Sequence, residues 1–366
     1  NLAFHAWDEP AERVLAAAQA AGESLVMPRP GEPVEPATPP ALVAPGDRVH
    51  YHAVDTLPAD TQTARKHLAT PPRRPVFTLD DAGLQTLYQD LGRQGNGNLG
   101  VTTSGSTDRA SARTANAAVG NKRNATLLEN VGGLTMTALA ETVICVTGAD
   151  ADVTVGGRPA PLATPTIVPA GAEVVVKPAR LGFRTYIAVR GGLIADTELD
   201  SAATDMLSGL GPKPLAAGDT IAMSLTPPQS ANSLLTNPLR VERDGADVVG
   251  VVRCVLGPRD DWFDEDAVDR FFATTFTVTG DSNRVGLRLE SDAPLTRSRD
   301  GELPSEGMVA GSVQIPPSGQ PVLFLRDHAV TGGYPVIATV INEDVDIAAQ
   351  LPPGGKLRFE RYTLEG

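Results

Sequence analysis

The 366-residue sequence holds only two cysteines and two tryptophans, and aromatic residues make up 4% of it. Cys145 and Cys254 each sit in an apolar, β-like run, from Val143 to Val146 and from Val251 to Val255. Such placement reads as two small buried hydrophobes in a reducing compartment rather than as a disulfide pair. No apolar run approaches the ~20 residues that a spanning helix needs. There is no signal peptide either, so a cytoplasmic location without a membrane partner is expected. The chain begins at Asn1, which predicts a missing or processed start. Positive charge is scarce as well: 31 basic against 44 acidic side chains leave a formal charge of −13. That surface repels phosphate backbones, and no basic stripe is interleaved with aromatics, so no nucleic acid partner is expected.

Several chemical motifs are missing too. There is no GxxxxGK loop followed by Ser or Thr, no HExxH, no CxxC and no nucleophile-elbow motif. Gly95, Gly97 and Gly100 match a GxGxxG spacing, but a polar run precedes them and more loop follows. A dinucleotide site needs a strand leading in and a helix leading out, so the match is rejected. His50 and His52 share one strand face without a third ligand nearby, which predicts no metal site.

Glycine and proline are plentiful, at 36 and 31 residues. They punctuate short apolar runs from Val76 to Ser224 and again from Val252 to Phe359, the texture of a turn-rich β protein. Helices are expected over Asp8 to Ala21, Thr107 to Val119 with a Thr cap, Asp264 to Phe272 with an Asp cap, and Asp344 to Leu351. Strands outnumber helices and do not alternate with them, which points to antiparallel barrels or sandwiches. Leu42 to Tyr51, Leu215 to Met223 and Leu351 to Phe359 share one pattern, a tight Gly turn entering an alternating strand. They read as three domain ends of similar design.

Three polar clusters carry chemistry. Gln89, Asp90 and Arg93 precede a Gly-rich loop, Ser104 to Asp108, and Asn116; here Arg can fork onto a substrate carboxylate, or the groups can cap loops. Asn283, Arg284 and Arg288, with Glu306 and Gln314, suit a wall that binds a carboxylate, or a surface ladder of ion pairs. Asp327 with Thr331, Gly332, Gly333 and Tyr334 places a general base beside a turn that can stabilise an oxyanion, or a plain hairpin.

In order along the chain, these runs resemble the family called allophanate hydrolase subunit 2, also known as the C-type subunit of 5-oxoprolinase. The carriers are Leu87 to Gly95, Ala115 to Asn121 leading to Leu128 and Glu129, Gly182 to Gly192, Pro214 to Asp219, Ser282 to Arg288, Ser305 to Gly307 and Thr331 to Pro335. The family's usual Ser-Gly-Ala-Met-Asp stands here as Ser104 to Asp108 with Ser106 and Thr107. Its Gly-Ser-x-Ser-Thr-Asp stands as Asp200 to Asp205. The stretch from Pro39 to Val49 resembles the closing strand of the family's partner subunit.

The resemblance implies a mainly β protein of two cyclophilin-like β-barrel subdomains with a few short helices. It implies residues 1–56 as a remnant of the partner-type barrel, 57–75 as linker, 76–228 as subdomain A, 229–237 as linker and 238–366 as subdomain B. It further implies an ATP-dependent opening of 5-oxoproline to glutamate, with ATP and Mg²⁺ used in a complex. The partners would be a subunit 1 or B-type chain and a third lactam-hydrolase subunit, acting on a small-molecule substrate. Asp327, Gly332 and Gly333 would then be catalytic. Gln89, Asp90, Arg93, Asp108, Asn116, Asn283, Arg284, Arg288, Glu306, Gln314, Thr331 and Tyr334 would bind substrate or nucleotide. The alternatives are a carboxyltransferase-like component of urea or allophanate use, for which this chain has no biotin attachment site, and a regulator of a histidine kinase.

Overall fold

The computed structural model describes residues 73–363 apart from 226–228, 233, 300 and 302. The expected remnant over 1–56, its helix, the first Gly-turn repeat and the His50–His52 pair lie outside the described residues.

The first half runs through β1 (Arg73–Asp81), β2 (Gln85–Gln89), α1 (Arg109–Ala118), β3 (Leu127–Val131), β4 (Leu134–Ala138) and β5 (Thr142–Asp150). It continues with β6 (Val153–Val155), β7 (Arg158–Pro159), β8 (Thr166–Val168), β9 (Glu173–Val176), β10 (Leu181–Val189), β11 (Leu193–Ile194) and β12 (Thr220–Ser224). Two sheets result, one ordered β11-β12-β1-β4-β9-β6-β7 and one ordered β2-β3-β10-β5-β8. Strand β4 shows why they face each other. Its Leu134, Met136 and Ala138 are buried while Thr135 and Thr137 are half-buried, the period-2 alternation of a strand with one core face. Those side chains join Phe77 and Val174 from the same sheet and Leu128, Ile144 and Ile187 from the other.

The second face of the smaller sheet is covered by α1. Ala112, Ala115 and Ala118 are small enough to let the helix lie close on Leu127, Cys145, Tyr186 and Ala188. The helix is capped by Asp108, whose carboxylate accepts from the Ser111 amide at 2.9 Å. That is one residue later than the Thr cap expected from the sequence. Thr107 is not free to cap, because its amide and hydroxyl both donate to Glu129.

The second half contains β13 (Glu242–Asp244), β14 (Asp247–Leu256), α2 (Glu265–Ala273), β15 (Thr275–Val278), β16 (Gly286–Glu290), β17 (Glu306–Gly307) and β18 (Ser312–Gln314). After them come β19 (Val322–Phe324), β20 (Thr331–Gly332), β21 (Val336–Val340), α3 (Val345–Ala348) and β22 (Lys356–Arg361). Seven strands close on themselves in the order β14-β21-β18-β19-β16-β15-β22, because β22 also pairs with β14. That last pairing is parallel, from Val249 opposite Lys356 to Cys254 opposite Arg361. Inside the barrel, Phe271 of α2 stacks on Phe359 with ring centroids 4.5 Å apart, and Phe276 meets Phe359 edge-on at 5.7 Å. Asp264 caps α2 as the sequence predicts, accepting from the Ala267 amide at 2.7 Å. The molecule is thus mainly β with a few short helices, as the turn-rich sequence predicts.

Cys145 lies under α1 and Cys254 in the barrel wall. Both are free thiols, and burial pushes the pKa of each up to about 12.

Candidate functional site

The two halves meet over buried polar side chains. At the centre is Arg284, which is 2% exposed and sits in the loop before β16. Its Nε donates to Asp327 Oδ2 at 2.8 Å and its Nη2 to Asp327 Oδ1 at 3.0 Å, a forked ion pair within the second half. The same guanidinium reaches across the seam to the carbonyl of Gly105 at 2.7 Å and to the carboxylate of Glu129 on β3. Glu129 also accepts from the Thr107 amide at 2.8 Å and the Tyr186 hydroxyl at 2.9 Å, and Arg184 lies 3.6 Å from it. Two arginines and two carboxylates therefore balance in a space closed to water, the condition under which buried charge is tolerated.

The titration behaviour follows from this packing. Burial pushes the Asp327 carboxyl up, while the Arg284 guanidinium and the Ser104 hydroxyl pull the other way. Burial alone would lower Arg284, but Asp327 and Glu129 beside it raise it above its ordinary value. Burial also acts to raise Glu129, yet Arg284 and Arg184 outweigh it and hold its carboxyl below the usual range.

Asp327 is fully occupied. Besides Arg284 it accepts from the Ser104 hydroxyl at 2.6 Å and the Met206 amide at 3.0 Å, and its side chain is 0% exposed. Met206 itself is 45% exposed, so Asp327 lies directly beneath a surface loop. Asp108 stands on the first half's side of the seam. It accepts from Ser111 and, at 2.8 Å, from Gln350 Nε2 of the second half. Burial and the nearby Asp346 raise its pKa to about 6, against the pull of the Gln350 and Ser111 hydrogen bonds.

Gln89, Asp90 and Arg93 hold a different loop. Gln89 Nε2 donates to the Thr204 carbonyl at 2.8 Å, and Arg93 Nη2 donates to the carbonyl of Ala203. Asp90 accepts from the Ser201 hydroxyl at 2.7 Å and the Ala202 amide at 2.8 Å. All three thus organise the chain from Ser201 to Asp205, where this sequence departs from the family's usual pattern. Gly105 presses on the turn between Asp90 and Arg93: its φ is +89°, and a Cβ there would lie 2.6 Å from the Gly92 nitrogen.

The remaining predicted residues are scattered. Arg284 and Arg288 do not form a common wall, because Arg284 is turned into the seam while Arg288 is exposed on β16. Asn283 folds back onto the Val285 amide at 2.8 Å, and Asn116 Nδ2 donates to the Ala125 carbonyl at 2.7 Å. Glu306 pairs with Arg259 at the β17–β20 ladder, in which Glu306 faces Gly332 and Gly307 faces Thr331. Gln314 is buried and donates to the Tyr334 carbonyl at 3.0 Å, fixing the turn that follows Gly333. Tyr334 is 45% exposed, with Arg297 over its ring at 5.6 Å.

Glu129, Arg184, Tyr186 and Gln350 complete the seam yet are absent from the predicted site; Ser104 stands in the predicted Gly-rich loop but not among the predicted binding residues. Glu129 and Arg184 lie in runs that carry the family resemblance, so a signal exists. It does not say which runs meet in space.

The C-type subunit of 5-oxoprolinase from Escherichia coli (strain K12) is 31% identical over 296 residues, covering 78% of this chain and 90% of that protein. The crystal structure of TTHA0988 in space group P212121 superposes with a TM-score of 0.69 at 33% identity, over 80% of this chain and 56% of that one. The K. lactis urea amidolyase superposes with a TM-score of 0.74 at 25% identity, over 81% of this chain but only 19% of the amidolyase. This chain therefore spans just over half of the first of these solved chains and under a fifth of the second. Residues 99–361, which include every member of the seam network, match the family described as the carboxyltransferase domain, subdomain A and B, and the chain belongs to that family.

Proposed function

We propose that this chain is one subunit of an ATP-dependent amide hydrolase that opens 5-oxoproline to glutamate, acting with a B-type partner and a third lactam-hydrolase subunit. One observation supports this above others: the identity to the C-type subunit of 5-oxoprolinase runs over 90% of that protein's length. On this reading ATP phosphorylates the lactam oxygen and water attacks the activated carbon. The ring C–N bond breaks, the nitrogen takes up a proton to become the amine of glutamate, and phosphate leaves.

The buried geometry refines the roles. Asp327 receives the proton of the attacking water only after the loop at Met206 withdraws its amide, since all present partners leave no room for water. Arg284 and Arg93, both committed to protein groups, act as positioning residues. Of the three predicted arginines, Arg288, exposed on β16, is the one open to an anionic group. Gly332 is bound into the ladder opposite Glu306, so it is the Gly333 end of this backbone that steadies negative charge developing on oxygen. Among the described residues no group of three or more His, Cys, Asp or Glu side chains is arranged to hold a metal ion. On this reading Mg²⁺ enters with the nucleotide phosphates.

The test is a purified complex of this chain with its partners, given ATP and 5-oxoproline. Glutamate and ADP formed one for one support the reading. The amidolyase likeness favours a second reading, a carboxyltransferase-like role, and its sign would be no glutamate but turnover of urea once a biotin-carrying chain is supplied.

A further inference from the structure

We propose that the seam carries a second site, on the outer side of α1, that takes the phosphate groups of a small molecule. A cavity of about 520 Å³ opens there between the halves, and its charged lining is Arg109, Arg113 and Arg240 against Glu343 and Asp346. On a chain of formal charge −13, three arginines around one cavity run against the general trend. Arg109 and Arg113 are four residues apart on α1, so their side chains share one helix face.

Two of these cations, Arg109 and Arg113, have no carboxylate paired with their guanidinium among the described residues, whereas Arg240 has Asp344. Arg113 is exposed and has no hydrogen-bond or ion-pair partner among the described residues. Arg109 Nε is buried without a partner, and its Nη2 makes only long contacts, 3.3 Å to the Leu91 carbonyl and 3.4 Å to the Ser104 carbonyl. Burial first, then the neighbouring Arg326 and Arg113, lower the Arg109 pKa to about 10, against the opposite pull of Asp346 and Asp90. A bound anion would relieve both effects.

The helix end is not itself the site. The amides of Arg109 and Ala110 already donate to Asp346 at 3.0 Å each, and Arg326 holds that carboxylate at 3.2 Å. Arg240 pairs with Asp344 at 3.0 Å, which fixes it as one wall. The open charge is that of Arg113 and Arg109, with an amide donor from Asn342; Asn237 is held by the Gly148 backbone through both its amide atoms and serves as wall. Glu343 is exposed and works against an anion, so it tunes the site downward. The volume exceeds that of one phosphate and suits a phosphate chain. Arginine forks recognise phosphate oxygens in two-point geometry, and a lining of arginine without lysine is consistent with that preference.

Phosphate binding here does not depend on the proposed reaction and is tested without partners. Titration calorimetry of the full chain at low salt would use tripolyphosphate, ATP and inorganic phosphate, all without Mg²⁺. Saturable binding of tripolyphosphate is expected, weakened about tenfold by Arg113→Glu, as loss of one charge-assisted contact implies. Glu343→Gln should strengthen binding about threefold by removing a like charge. ATP binding tighter than tripolyphosphate identifies a nucleotide as the source, while equal binding of inorganic phosphate identifies the free ion. No saturable binding of any of the three, or binding untouched by both substitutions, would overturn the proposal.

Discussion

Replacing Asp327 with Asn tests the charge balance at the seam. In the parent, Arg284 and Arg184 face Glu129 and Asp327, four charges that are 2–3% exposed or less. The substitution leaves two guanidiniums against one carboxylate. It also turns an amide NH₂ toward donors, either Arg284 or the Met206 amide. Breaking one side of a buried pair costs about 3–5 kcal/mol, and because Arg284 keeps Glu129 the lower end, about 3 kcal/mol, is expected. Against a typical stability of about 5–15 kcal/mol, that is a large loss. Urea unfolding followed by Trp262, which is buried beside the barrel core, would read it. Ser104→Ala removes one hydroxyl from Asp327 and should cost only about 1 kcal/mol. The double variant Asp327→Asn with Arg284→Met restores the balance between Arg184 and Glu129, and should recover part of the loss. A single variant within about 1 kcal/mol of the parent, or a double variant no better than the single one, would refute the idea that this network holds the seam.

Asp108 should titrate near pH 6, and selective ¹³C labelling of its carboxyl checks this directly; a value near 4 would remove its assigned burial beside Asp346. Because the folded-state pKa lies above the unfolded one, the folded chain binds the extra proton between about pH 4 and 6. The contribution of Asp108 to stability therefore falls as pH rises through that window, by about 3 kcal/mol in full. Gly105→Ala places a Cβ 2.6 Å from the Gly92 nitrogen at a φ of +89°, so a cost of about 2 kcal/mol or more is expected by denaturation. Phe271→Ala empties the centre of the barrel stack and should cost about 3–5 kcal/mol in the same assay.

Local chemistry is legible in the sequence and long-range pairing is not. The Asp264 cap, the Ala-rich body of α1 and the burial of both cysteines each depend on neighbours within a few residues. The parallel join of β14 to β22 links residues about a hundred apart and leaves no local pattern to read. The site shows the same division. Arg284, Asp327 and Asp108 stand out because their residue types and loops are unusual. Glu129, 155 residues from Arg284, reads as an ordinary strand position until the fold brings them together. Arg288 misleads for the converse reason: two arginines four apart suggest one wall, but here one residue is in a buried loop and the other on an exposed strand position.

The most direct measurement on the assignment to a 5-oxoproline-opening complex is a titration of this chain into fixed amounts of the B-type partner and the third lactam-hydrolase subunit, with ATP and 5-oxoproline present. Glutamate formation is expected to be absent without this chain and to saturate when the chain equals its partners in amount. Glutamate formation that proceeds at the same rate with this chain left out would contradict the assignment.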